Sequence, residues 1–319
     1  MRFVDLHCDT LMECYLKGWK LRNNPGHIDL EKLKSGQALA QMFAIFIPTH
    51  DDAKKHGIEE TPYEYFNSVY ELYLKELNEN KDIIQPAYCY EDIMKNKDAG
   101  KISSILTIED GVAIDGKLDR IEEFYNKGVR IITLTWNYEN CLGYPNSSRW
   151  WKMRKGLKPF GIVALEKMNE LGIIADVSHL SEGGFWDVAE HSTKPFVATH
   201  SCARALCGHP RNLNDKQLKA LGEKGGVVGV NFCSNFLKNY SKHTLIDDIV
   251  EHMEYISRKA GIEAVALGSD FDGIGCTLEF NNYSGMPSIA DAMARYFTDD
   301  QVDKICSGNA LRVIKDCMR

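Results

Sequence analysis

The chain has 319 residues, with 38 Lys and Arg against 45 Asp and Glu and a formal charge of −7. At 44% apolar and 26% charged it has the composition of an ordinary globular protein, which excludes the disordered, collagenous and strongly basic classes. No basic cluster of useful length points to a nucleic-acid partner.

The first ten residues read MRFVDLHCDT, so Asp5, His7 and Asp9 stand where an export signal needs an apolar run. No later stretch reaches the ~20 apolar residues of a membrane span. The ten cysteines are scattered singly, with no CxxC pair. Free thiols in a reducing cytoplasm are therefore expected, packed as small hydrophobes.

Short apolar runs alternate with amphipathic segments along the chain. Expected strands are Phe3–His7, Ala38–Phe46, Ile102–Ile108, Val129–Leu134, Ile173–Val177, Phe196–Thr199, Val227–Asn231 and Ala264–Gly268. Several are almost continuously apolar, as parallel strands covered on both faces must be. Helical patterns fall at Glu64–Asn78, Leu118–Asn126, Ile162–Leu171, Gly184–Glu190, Lys216–Gly222 and Leu245–Ala260. Asn214 with Gln217, and Thr298 with Gln301, have the spacing of N-terminal capping boxes. Eight strand candidates alternating with helices predict an α/β fold, a (β/α)8 TIM-type barrel occupying residues 1–319 as one domain. A doubly wound open sheet is the structural alternative. Two connections, 136–159 and 201–214, are longer than structure alone requires. Both follow strands, which in a barrel places them on the face that carries the active site.

Polar groups recur where the apolar runs end. His7-Cys8-Asp9 closes the first, and residues two apart in an extended chain point the same way. Glu109 ends SILTI, His179 ends IIADVS, His200 ends PFVAT, and Asp270 follows AVALGS with Asp272 two residues on. Each taken singly is accounted for by a satisfied histidine or a solvated carboxylate. In a barrel these ends form one ring, and His, Asp, Glu, His, His matches a two-zinc site. Three neutral imidazoles and two carboxylates around two Zn²⁺ leave about +2, enough to stabilise a bridging hydroxide. Glu109 is the economical bridge, because no lysine occupies a strand end.

DLHCDT, the Glu of TIEDG, DVSH, THS, the Arg of HPRN and GSDFDG together resemble the membrane (renal-type) dipeptidase family, zinc peptidases of the amidohydrolase-like barrel group. The resemblance runs from Phe3 to GNALRVI at residues 308–314. It implies that His7 and Asp9 hold one zinc, that Glu109 bridges, and that His179 and His200 hold the second. It also implies that Asp270 is the proton shuttle and that Arg211 engages the substrate's terminal carboxylate. Cleavage of dipeptides, tolerance of a D-residue on the carboxyl side and homodimer formation follow from the same resemblance.

One position departs from the family pattern. Where the family commonly reads TLTH, this chain has Thr133-Leu134-Thr135-Trp136-Asn137. A Trp offers only an indole N–H donor, so Trp136 or Asn137 replaces part of the missing function, or another loop residue does. Two rivals follow: an amidohydrolase with the same metals acting on N-acyl amino acids, lactams or cyclic amides, and a catalytically silent metal-binding relative. Asp272 is expected to hold a ligand's orientation and Asp110 to be structural. His27, His50, His56, His191, His243 and His252 lack strand-end placement and are expected in the core or on the surface.

Overall fold

Strands apolar on both faces must be covered on both, and this chain does so by closing them into a barrel inside a jacket of helices. The computed structural model describes the whole chain, Met1–Arg319. The barrel strands are β1 Phe3–Asp5, β2 Ala38–Phe46, β3 Ile102–Glu109, β4 Val129–Thr133, β5 Ile174–Asp176, β6 Val197–Ser201, β7 Val227–Val230 and β8 Val265–Leu267. All pairings between them are parallel. Their order is β2-β1-β8-β7-β6-β5-β4-β3, and β3 returns to β2 from Ala40 opposite Ser103 to Phe46 opposite Glu109. The ring is closed, so the (β/α)8 expectation holds and the open sheet is set aside.

The six expected helices are present as Pro62–Glu79, Leu118–Asn126, Pro159–Leu171, Glu182–His191, Asp215–Glu223 and Ile246–Ala260. Both expected capping boxes form, and a third, Thr61 with Glu64, starts the first of these helices. Helices Thr10–Lys17, Tyr90–Asp98, Met286–Met293 and Asn309–Cys317 were not anticipated, nor was the short strand Ile84–Pro86 beside the start of β3. No helix is long and apolar enough to cross a membrane.

The core has two parts. Between strands and helices lies the larger cluster, which includes Phe43, Phe66, Phe124 and Leu165. Inside the barrel, Val4, Met42, Ile105, Ile131, Ile174, Val197, Val227 and Ala266 contribute one side chain per strand. Ala310, Val313, Ile314 and Cys317 of the C-terminal helix join this inner cluster. That helix is tied to the lower strand ends, where Asn309 donates to the carbonyls of Ile262 and Val265 and Arg312 to those of Gly225 and Glu263. The bottom of the barrel is thus plugged with apolar side chains, which leaves the upper rim for polar ones.

Two buried carboxylates knit the upper rim. Asp5 accepts the Ser269 N–H at 2.8 Å and its hydroxyl at 2.6 Å, joining β1 to the loop after β8. Asp176 accepts hydroxyls from Thr133, Ser178 and Thr199, each at 2.6 Å, and the N–H groups of Ser178 and Thr199. It therefore spans β4, β5 and β6. Burial opposes its charge, but His200 and these donors hold its carboxyl below the ordinary range. Truncating it leaves five buried donors without their acceptor. Asp176→Ala is expected to cost about 3 kcal/mol or more, read as a lowered urea midpoint at unchanged slope.

Candidate active site

The upper ends of the strands surround a cleft of about 490 Å³. Its walls include Asp9, Glu109, Trp136, Asn137, His179, Arg211 and Asp270, with His7 and His200 buried beneath. Every site residue expected from the sequence is brought to this one place.

Glu109, the last residue of β3, stands at the centre, and its two oxygens face opposite ways. Oε2 lies 3.2 Å from His7 Nε2. Oε1 lies 3.0 Å from His179 Nε2 and 3.5 Å from His200 Nε2. Asp9 Oδ2 is 3.6 Å from His7 Nε2, and Asp270 Oδ1 is 4.0 Å from it. The convergence of His7 and Asp9 has a different origin from strand alternation. β1 stops at Asp5, and the segment beyond is held by a bridge between Cys8 and Phe271 and by the Asp9 N–H on the Phe271 carbonyl at 2.9 Å. Close approach helps as well: a Cβ on Gly273 would collide with the Asp9 carboxylate.

The charges are strongly interdependent. Burial opposes ionisation of Glu109, yet the charge of His7 beside it holds its carboxyl well below the ordinary range. His7 is correspondingly held well above its ordinary value by Glu109 and Asp9 against burial. Burial, aided by Arg211, lowers His179 to about 4, and burial with the charge of His7 pushes His200 well down. Burial raises Asp270 to about 6, and drives Asp9 well up with the help of Glu109.

Hydrogen bonds set the tautomers of the two neutral histidines. The Thr199 hydroxyl gives its single proton to Asp176, so it accepts from His200 Nδ1 at 2.8 Å. Asn137 Oδ1 lies 3.4 Å from His179 Nδ1 and serves the same purpose. Both Nε2 lone pairs therefore point inward, 3.0 Å apart and toward Glu109. Two lone pairs so close repel unless a cation lies between them and the carboxylate. His7 Nε2 and Asp9 Oδ1 are buried without a hydrogen-bond partner, and imidazole with carboxylate is a donor set suited to zinc. The residues fit a metal. Two overlapping triads have ligand atoms mutually within 4.8 Å: His7, Glu109 and His200, and His7, Asp9 and Asp270.

Around this centre, Arg211 is buried, with one terminal nitrogen on the His200 carbonyl at 3.2 Å and its Nε unpartnered. Trp136 is half-buried and meets the Phe46 ring edge-on at 4.8 Å. Asn231, overlooked in the sequence, donates to Asp270 Oδ2 at 2.8 Å. Its only signal was its place at the end of VVGV. Asp5 and Asp176 were also overlooked, although each precedes a cluster histidine by two or three residues.

Asp272 departs from its expected role. It accepts the Thr10 hydroxyl and the N–H groups of His27 and Ile28, fastening a loop and touching no cluster residue. Asp110 is structural as expected, accepting from Val112 and Asn140, and burial brings its carboxyl to about 7. His252 is a satisfied core histidine between the Ala203 N–H and the Leu237 carbonyl. His56, expected on the surface, is exposed but lines the mouth of the cleft.

Residues 1–318 match the family described as membrane dipeptidase (peptidase family M19). The chain is 34% identical over 295 residues to an uncharacterized dipeptidase of Schizosaccharomyces pombe, covering 86% of this chain and 69% of that protein. It is 39% identical over 235 residues to an uncharacterized protein of the pqqA 5′ region of Klebsiella pneumoniae, covering 70% and 86%. A metallopeptidase from Rhodobacter sphaeroides, solved with a phosphinate mimic of the dipeptide L-Ala-D-Ala, superposes with TM-score 0.90 at 25% identity over 99% of each chain.

The Thr199 hydroxyl gives a direct test of the donor geometry. Thr199→Val removes the acceptor that keeps the His200 Nε2 lone pair inward. Zinc affinity, measured by competition with a chromogenic chelator, is expected to fall about 10–100-fold.

Proposed function

The chain belongs to the membrane dipeptidase family, peptidase family M19, and on that premise we propose that it is a two-zinc enzyme hydrolysing small dipeptides, including those with a C-terminal D-residue. The observation that carries this is the splitting of the Glu109 carboxylate, with one oxygen toward His7 and the other toward His179 and His200. In this reading His7 and Asp9 would hold one ion, His179 and His200 the other, with Glu109 shared between them. Bound zinc supplies Lewis acidity to the scissile carbonyl and acidifies water.

The chain's own residues do the rest. Asp270 takes the proton of the attacking water and returns it to the departing amine. A carboxyl raised to about 6 suits that exchange near neutral pH. The Asn231 amide fixes Oδ2 of Asp270 at 2.8 Å, leaving Oδ1 on the side of His7. Arg211, with its free Nε, receives the terminal carboxylate and so selects substrates that end one residue after the cleaved bond. Asn137 keeps His179 in its tautomer, and Trp136 with Phe46 forms an apolar wall beside the reacting carbonyl. The phosphinate mimic of L-Ala-D-Ala bound by the Rhodobacter sphaeroides relative supports tolerance of a D-residue. Homodimer assembly rests on the family resemblance, and a cytoplasmic setting is supported by ten free thiols. The apolar wall at Trp136 favours one second reading, hydrolysis of N-acyl amino acids at the same metals.

Hydrolysis of a dipeptide panel including an L–D pair, with N-acyl amino acids alongside, tests the choice. Turnover of dipeptides is expected to vanish with chelator and return with zinc. Two zincs bound with turnover only of N-acyl amino acids would favour the second reading. Arg211→Ala is expected to lower kcat/KM for free-acid dipeptides roughly a hundredfold or more, the ~3 kcal/mol of a buried charge-assisted pair. C-terminally amidated dipeptides should change far less, and an equal loss on both would mean that Arg211 does not bind the carboxylate.

A further inference from the structure

The cleft wall between β7 and β8 carries a feature that peptide hydrolysis does not use. Cys233 follows β7 and Cys276 follows β8, and the Cys276 sulfur lies against the backbone on either side of Cys233, 3.7 Å from the Phe232 carbonyl. The Cys276 sulfur also accepts the Ser234 N–H at 3.4 Å and lies 3.6 Å from the Thr244 hydroxyl. Both cysteines are half-buried, within reach of a small reagent. Six of the remaining eight are fully buried, and Cys89 and Cys141 have no cysteine beside them.

The pair is also wired into the cleft. Cys233 lines it together with Gly273, Ile274 and Gly275, the residues just before Cys276. The Cys233 N–H donates to Asn231 Oδ1 at 2.6 Å, and Asn231 donates in turn to Asp270. On the other flank the Gly273 N–H donates to the Asp270 carbonyl at 3.1 Å. The proton-handling carboxylate thus sits between the two cysteine-bearing loops.

We propose that Cys233 and Cys276 form an oxidisable dithiol, which a peroxide converts to a disulfide that draws the two loops together and lowers turnover. The Cys276 sulfur attacks the peroxide O–O bond, giving a sulfenic acid and releasing the alcohol, or water when the oxidant is hydrogen peroxide. The Cys233 sulfur then attacks that sulfur, the S–S bond forms, and the hydroxyl leaves as water with the Cys233 proton. Two electrons pass from the thiols to the peroxide. Thiolate fraction favours Cys276 as the first attacker, because the neighbouring Cys233 thiol, with the Ser234 N–H and the Thr244 hydroxyl at its sulfur, outweighs burial and lowers its thiol to about 5. By contrast, burial raises Cys14, Cys306 and Cys317 to about 12. A disulfide fixes its sulfurs ~2.05 Å apart, and the loops it would tie together are the ones that touch Asp270 and Asp9.

The test uses reduced, zinc-loaded enzyme whose dipeptide turnover is measured first. It is titrated with hydrogen peroxide and mapped by mass spectrometry without reductant. A Cys233–Cys276 cross-link is expected ahead of oxidation at the other eight cysteines, with turnover falling roughly tenfold or more, and both should reverse with dithiothreitol. Cys276→Ser and Cys276→Ala should keep basal turnover and resist peroxide. No cross-link, or oxidation no faster here than elsewhere, would overturn the site. A complete cross-link with unchanged turnover would overturn its effect on catalysis. That effect rests on the cleft being the active site, whereas the cross-link is read independently. Absent basal turnover would therefore count against the proposed function and not against the dithiol.

Discussion

A carboxylate as deeply buried as Glu109 stays ionised because the charged His7 imidazole beside it supplies what water no longer can. Isolated, such a charge would cost several kcal/mol to desolvate. Here the cost is met by one charged histidine on one side, while two neutral ones on the other turn lone pairs toward the same carboxylate. The arrangement leaves inward-facing lone pairs and unpartnered polar atoms in the same small volume. Such a cluster is poorly settled without a cation, and that makes it a candidate metal site.

Much of the upper barrel serves to hold that cluster still. Asp176 gathers donors from three strands and, through Thr199, sets the tautomer of His200. Asp5 does the equivalent for the loop that carries Asp270. Close backbone contact contributes too, because a Cβ on Gly229 or Gly268 would collide with the carbonyl of Thr199. The bottom of the barrel is the contrasting case, filled with apolar side chains from every strand and plugged by the C-terminal helix. Stability at one end permits strained polarity at the other. Asp270 itself sits at φ 61°, a conformation non-glycine residues rarely hold without such support.

The strands were legible because a parallel barrel buries both faces and leaves nearly unbroken apolar runs. Six helices were legible through 3.6-residue periodicity, one of them, Asp215–Glu223, also through its Asn214–Gln217 cap. The helix Tyr90–Asp98 was not, since it presents two apolar side chains among charged ones and has no capping side chain. The helix Asn309–Cys317 had the signal in Ala310, Val313, Ile314 and Cys317, but no capping side chain marks its start. The metal-cluster candidates were visible through their recurrence at strand ends. Asn231, Asp5 and Asp176 were not, because a buried carboxylate or amide looks in sequence like any other loop or strand residue until its donors are known.

By itself the amino-acid sequence determined the class of fold, the ring of strand ends and which polar residues gather there. Each depends on local pattern: apolar run lengths, and polar residues at fixed positions after them. What only the tertiary structure decided is how those residues face one another. Which Glu109 oxygen meets which histidine, which nitrogen of His200 carries its proton, and why His7 and Asp9 converge beyond the end of β1 all depend on contacts between strands far apart in the chain. So does the meeting of Cys233 with Cys276, which the spacing of two isolated cysteines gives no reason to expect. Barrel closure brings such residues together, and closure is a property of all eight strands at once.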